Sequence, residues 1–159
     1  MRVYRITHDI TGEAYRLLLE AALEEASTFS LVWRDQLQFA PSAAAVRKAL
    51  RAFQVRHVKR DRWPGTILVG HYASVLTYRA APEALPTLLE PGSLFAWRSP
   101  AYPEDLSFTT APGAVSLASV SHEGAAWILS PSLAAAMGEQ LTLVPEILDP
   151  GDEQYFKAV

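Results

Sequence analysis

Apolar residues recur at Tyr15, Leu18, Leu19, Ala22, Ala26 and Phe29, offsets of 0, 3, 4, 7, 11 and 14. This is the stripe of an amphipathic helix, and Glu13, Arg16, Glu20 and Glu24 fall on its other side. The spacing predicts a helix over residues 11–28, opened by Thr11-Gly12. Arg16 and Glu20 are placed to pair one turn apart, for about 0.3 kcal/mol. Ahead of it, Val3 to Ile10 alternates as a strand does, with Val3 and Arg5 to one face and Tyr4 and Ile6 to the other. Phe29 to Arg34 fits either the last turn of the helix or a β segment. A second helix is expected near residues 42–53, where Ser42 offers an N-cap oxygen and Val46, Leu50 and Phe53 recur at about one turn.

Beyond residue 54 the pattern changes to short strands and turns. Val55 to Arg62 reads as a basic strand, Trp63-Pro64-Gly65-Thr66 as a turn, and Ile67 to Arg79 as a long strand rich in Val, Ile, Thr and Tyr. Pro82 to Leu89 reads as a short helix, with Pro82 tolerated in its first turn. Ser99 to Asp105 holds two prolines and reads as a loop. Leu106–Thr110 and Ala114–Val120 flank Pro112-Gly113 as a hairpin. Ser121 to Gly124 is a turn before a strand at 125–129, and Ser130 or Ser132 caps a last helix. These elements predict an α+β fold: one domain over residues 1–138, a mainly antiparallel sheet with two to four helices packed on one face, and an acidic tail, residues 139–159, lying on its surface.

The length of 159 residues suits a single domain, and a chain of which half is hydrophobic and 19% charged has enough apolar surface for a core. There is no cysteine, which excludes disulfides, thiol catalysis and Cys-ligated metal. No apolar run approaches the roughly 18–20 residues of a membrane span. The first ten residues lack the apolar core of a signal peptide, so a cytoplasmic protein is expected.

A net charge of −3 and a pI near 5.8 argue against a mainly electrostatic nucleic-acid binder. The distribution modifies that. Arg47, Lys48, Arg51, Arg56, Lys59, Arg60 and Arg62 fall within residues 47–62, while Glu139, Glu146, Asp149, Asp152 and Glu153 follow residue 138 against one Lys157. Either the basic segment 47–62 meets an anionic partner, which keeps nucleic acid open, or the acidic tail folds back on it.

Two further groupings carry chemistry. Trp33-Arg34 and Trp97-Arg98 repeat a Trp-Arg step, and Trp63 follows Arg62. An indole face beside a guanidinium suits a planar or anionic ligand or a protein partner. The alternative is that Trp points inward and Arg outward along a strand. Glu104 and Asp105, with His122 and Glu123, could form an acid–base pair, or with His71 part of a metal site. No spacing matches a zinc or hydrolase motif, and the eight glycines stand alone without a phosphate loop. No cofactor and no metal are therefore expected. His8, His57 and His71 are scattered.

The segments Phe29-Ser30-Leu31-Val32-Trp33-Arg34, Trp63-Pro64-Gly65-Thr66, Ser93-Leu94-Phe95, Tyr102 to Phe108 and Ser121-His122-Glu123 resemble a small family of uncharacterised bacterial proteins of similar length. Some members carry the label stage III sporulation protein AH. The resemblance covers most of residues 1–130 and leaves the tail outside. The sporulation protein of that name is similar to a membrane-anchored ring-former, and this sequence has no stretch for such an anchor. The label therefore brings no activity with it. What the resemblance implies is a shared pattern at Trp33, Arg34, Trp63, Glu104, Asp105, His122 and Glu123.

Two functions follow. One is a non-catalytic macromolecule-binding or regulatory module presenting an Arg/Trp surface made of Trp33, Arg34, Trp63, Trp97 and Arg98, with Glu104, Asp105, His122 and Glu123 beside it. The other is a small hydrolase or transferase using His122, Glu123 and an acid from positions 104–105. The absence of a strong catalytic motif favours the first. The first requires an exposed tryptophan sharing a face with Arg34 and Arg98. The second requires the histidine and the acids to meet in one pocket.

Overall fold

The computed structural model describes residues 1–159. Eight strands form one sheet, every neighbouring pair antiparallel: β1 (Arg2–Ile6), β2 (Thr28–Trp33), β3 (Gln54–Arg60), β6 (Ala73–Arg79), β7 (Glu104–Thr109), β8 (Val115–Val120), β9 (Ala125–Ile128) and β10 (Leu143–Ile147). Their order across the sheet is β10-β1-β9-β8-β7-β2-β6-β3. A separate two-stranded hairpin is made by β4 (Arg62–Trp63) and β5 (Thr66–Ile67). Four helices, α1 (Gly12–Glu25), α2 (Pro41–Leu50), α3 (Leu85–Leu89) and α4 (Pro131–Met137), complete an α+β fold.

The helices share one face of the sheet. Tyr15, Leu18, Leu19 and Ala22 of α1, Val46 and Leu50 of α2, Leu88 of α3, and Leu133 and Met137 of α4 join Ile6, Phe29, Leu31, Leu76, Phe108, Leu117 and Ile128 in one buried cluster. The Phe29 ring sits between Tyr78 and Phe108, with centroids 5.1 and 5.8 Å away. Alternation along each strand sends the other side chains to a second face. There Val32, Ala73 and Val75 pack against Trp63 of the hairpin, and Val3, Val115 and Ala118 against Leu148, Phe156 and Ala158. The hairpin tip is pressed down at Gly65. Its φ is +90°, its amide donates to the Tyr155 carbonyl at 2.6 Å, and a Cβ there would lie 2.7 Å from Val120 Cγ2.

Several local expectations are corrected. Helix α1 closes when the Ala26 amide bonds to the Ala22 carbonyl, and the apolar phase from Phe29 onward belongs to β2, buried from Phe29 through Trp33. Both faces of β2 are covered, Phe29, Leu31 and Trp33 on one and Val32 on the other, so apolar residues follow one another and no alternation shows. Ser42 does not cap α2. Ala40 holds that position, Pro41 opens the helix, and the Ser42 hydroxyl donates to the Ala101 carbonyl. The expected long strand 67–79 is interrupted at residues 68–72, where Gly70 has φ +74°. Glu104 and Asp105 begin strand β7 and are not in a loop. Of residues 139–159, β10 is an edge strand bonded to β1, and Leu148 to Ala158 lie on the second face.

Candidate acid–base site at the end of the central strands

Strands β2, β7 and β8 are the middle of the sheet. Because they are antiparallel, the start of β7 lies beside the ends of β2 and β8. That geometry brings together Glu104 and Asp105, Arg34, and Ser121 with His122.

Glu104 and Asp105 are buried, with 6% and 1% of their surface exposed. Two buried carboxylates are tolerable only with donors, and each oxygen has one. Glu104 Oε2 accepts from Arg34 Nε at 3.1 Å and Oε1 from the Ser99 hydroxyl at 3.0 Å. Asp105 Oδ2 accepts from Trp63 Nε1 at 2.8 Å and Oδ1 from the Ser121 amide at 3.0 Å. The Arg34 guanidinium lies 5.4 Å from the centre of the Trp63 ring, so it is held between that ring and Glu104. Asp105 is the single non-glycine residue with positive φ, +56°, a conformation that concentrates at functional sites. Burial raises its pKa to about 6; the Trp63 and Ser121 hydrogen bonds oppose that, the Glu104 carboxylate adds to it, and His122 lowers it.

His122 sits in a single 3-10 turn, Ser121–Glu123, closed by Gly124 in the left-handed region. It is exposed and lies 3.7 Å from Glu123. One ring nitrogen of His122 and one carboxylate oxygen each of Glu104 and Asp105 all lie within 4.8 Å of one another. On its solvent side His122 lines an open cleft of about 480 Å³ with Asp9, Ser93, Phe95, Arg98 and Glu123. Arg98 is exposed there and makes no ion pair. Asp9 faces the cleft but is engaged, its Oδ1 accepting from the amides of Ile10 and Phe95 at 2.8 and 2.9 Å.

A metal ion suits this donor set poorly. All four carboxylate oxygens already take a protein donor, and Arg34 places a positive charge against Glu104. His71, once a possible fourth ligand, stands in the exposed 68–72 segment outside the group.

The expected Arg/Trp surface does not form. Trp33, Trp63 and Trp97 are 3%, 2% and 0% exposed. Trp33 packs edge-on against Phe39 with Arg47 above its ring, and Trp97 donates to the Tyr15 hydroxyl at 2.9 Å. The reason is that all three bulky indoles gain more from burial than from exposure. Arg98, next to Trp97, points to the cleft, while Arg34 turns into the site. Ser99 was not foreseen as a site residue, since nothing in a Pro-rich loop marks its hydroxyl as a carboxylate donor. Trp63, expected from the sequence to be a ligand platform, is instead a buried hydrogen-bond donor to Asp105.

The tail reaches the basic segment at its last residue, where Arg56 donates to the Val159 main-chain oxygen at 3.1 Å and Val159 packs beside Val58, but its acidic side chains do not pair there. Glu146 pairs with Arg5 at 3.5 Å, and no acidic side chain after residue 138 pairs with a cation of the 47–62 block. No helix is long and apolar enough to cross a membrane. No family model, curated protein or solved structure matches the chain.

Proposed function

We propose that the protein is a small hydrolase or transferase working by general acid–base catalysis on a polar, negatively charged substrate. The observation that carries this is the approach of a His122 nitrogen and the Glu104 and Asp105 oxygens to within 4.8 Å of one another, at the rim of the cleft. In this reading His122 takes and returns the proton, because it alone of the three faces the cleft. Asp105, within 4.8 Å of the ring and held by Trp63 and the Ser121 amide, supplies a nearby negative charge that stabilises the imidazole when it is protonated. Glu104, locked by Arg34 and Ser99, holds the two strand ends in register. Arg98, free of acidic partners, receives the negative charge of the substrate through its planar fork. A cytoplasmic setting belongs to the same proposal, since a chain without cysteine needs no oxidising compartment.

A binding-module reading built on Trp33, Trp63 and Trp97 has less support, because those side chains are in the core. The test is a screen of chromogenic phosphate esters, carboxylate esters and glycosides with wild-type protein, His122→Ala and Arg98→Ala. Turnover that falls about 10²–10⁴-fold in His122→Ala, with a raised KM in Arg98→Ala, is the expected result. Equal rates in wild type and His122→Ala, or no turnover of any substrate, reject the proposal.

A further inference from the structure

Strand β3 ends the sheet with one neighbour, β6, so its outer row of N–H and C=O groups is open. After a register shift at Gln54/Arg56 its side chains alternate. Arg56, Val58 and Arg60 face the second side of the sheet, where Val58 packs with Val75, and His57 and Lys59 face the helix side. Both sides of this one edge are therefore basic. Lys59 of the strand and the adjacent Arg62 form exposed ion pairs, with Asp35 at 3.4 Å and Asp61 at 3.1 Å, and exposed pairs of this kind are weak enough to exchange with another acid. Arg60 makes no ion pair, and Arg56 donates to the main-chain oxygen of Val159, the last residue, at 3.1 Å, a contact that an acidic strand would have to share or displace. Val55, 60% exposed, and Tyr72, 63% exposed, border the same edge.

We infer that β3 is a docking edge for an acidic, extended peptide segment of a protein partner, which adds to the sheet as a ninth, outer strand. An added strand sends successive side chains to alternate faces. Acidic residues on it would then meet Arg56 and Arg60 on one face and His57 and Lys59 on the other, while its backbone satisfies the open row of β3. The same charges oppose pairing of β3 with β3 of a second copy, because like charges would stand opposite each other. The opposite edge is less suited to this use. β10 carries Pro145, which has no N–H to donate. A nucleic acid would use the cations but has no call on the row of backbone groups, so the peptide accounts for more of what the edge offers.

The experiment uses the full chain and a fluorescein-labelled peptide of three Glu-Val-Glu repeats, with the Lys-Val-Lys counterpart as control. Fluorescence anisotropy reports affinity, and amide hydrogen exchange reports the strand. The expected result is binding of the acidic peptide alone, weakened by salt, with slowed exchange of amides in residues 54–60. Affinity should fall about tenfold in Arg56→Glu/Arg60→Glu and about as much in His57→Glu/Lys59→Glu, since both faces contribute. The milder Arg56→Gln/Arg60→Gln, checked by its thermal unfolding, guards against loss of fold. The inference is overturned if the peptide does not bind, if either pair of substitutions leaves affinity unchanged, if exchange in 54–60 is unaltered, or if an oligothymidylate displaces the peptide and binds the edge more tightly.

Discussion

Trp63 and Asp105 stand 42 residues apart in sequence and meet in a buried hydrogen bond of 2.8 Å, indole N–H to carboxylate. The hairpin that carries Trp63 thereby fixes a carboxylate that lies within 4.8 Å of a His122 ring nitrogen. Replacing Trp63 by Phe keeps an aromatic ring but removes the donor and part of the buried indole's volume. Stability should fall by about 1–3 kcal/mol, because a buried carboxylate oxygen loses its partner and the smaller ring leaves space behind it. Urea denaturation measures this. Fluorescence-independent readout by circular dichroism avoids the lost indole signal. An unchanged midpoint would mean the bond carries no weight.

The raised pKa of Asp105 makes stability depend on pH with a definite sign. Burial lifts the group from 3.8 to about 6, so the folded state holds the proton more tightly than the unfolded state. Its contribution is full below about pH 4 and is lost as pH rises through 6. The amount is about 3 kcal/mol. Asp105→Asn cannot titrate. Chemical denaturation at a series of pH values from 4 to 7 should show the wild type losing stability with rising pH relative to the variant. Parallel curves would remove the assignment.

Arg34 neutralises Glu104 in a site where Glu104 is 6% exposed. Arg34→Met leaves that carboxylate buried with Ser99 as its remaining donor, and should cost about 3 kcal/mol. The double variant Arg34→Met/Glu104→Gln should recover much of the loss, since no charge is then stranded. A double-mutant cycle by thermal or urea unfolding reads the coupling, and simple additivity would show that the two side chains do not support each other.

Gly65 combines a φ of +90° with a Cβ position 2.7 Å from Val120 Cγ2. Gly65→Ala should destabilise by about 1–3 kcal/mol from strain and overpacking together. Adding Val120→Ala relieves the clash but not the backbone strain, so only part of the melting temperature should return. Complete recovery would place the whole cost in the clash.

Local signals were legible where a residue's neighbours in sequence are also its neighbours in space. The stripe Tyr15, Leu18, Leu19 and Ala22 marks α1, Ser130 caps α4 by accepting from the Leu133 amide at 3.2 Å, and Pro112-Gly113 turns β7 into β8. Arg16 pairs with Glu20 as its spacing requires, and with Glu13 as well. β2 was ambiguous because its two-sided burial erases alternation, and Ser42 misled because a serine near a helix start need not be the cap when a proline opens the helix.

Residue types and short-range spacing thus determined the α+β class, most elements, and which acids and histidine make up the candidate site. The tertiary structure decided everything that depends on strand order. It set β7 between β2 and β8, which placed Arg34, Glu104, Asp105 and His122 at one sheet end, and it drew Trp33, Trp63 and Trp97 inside. It also sent residues 143–147 into the sheet beside β1, leaving the basic strand β3 open at the far edge. The physical reason is that periodicity and capping act over a few residues, whereas these placements come from backbone pairing and burial between segments tens of residues apart, whose energies no local pattern records.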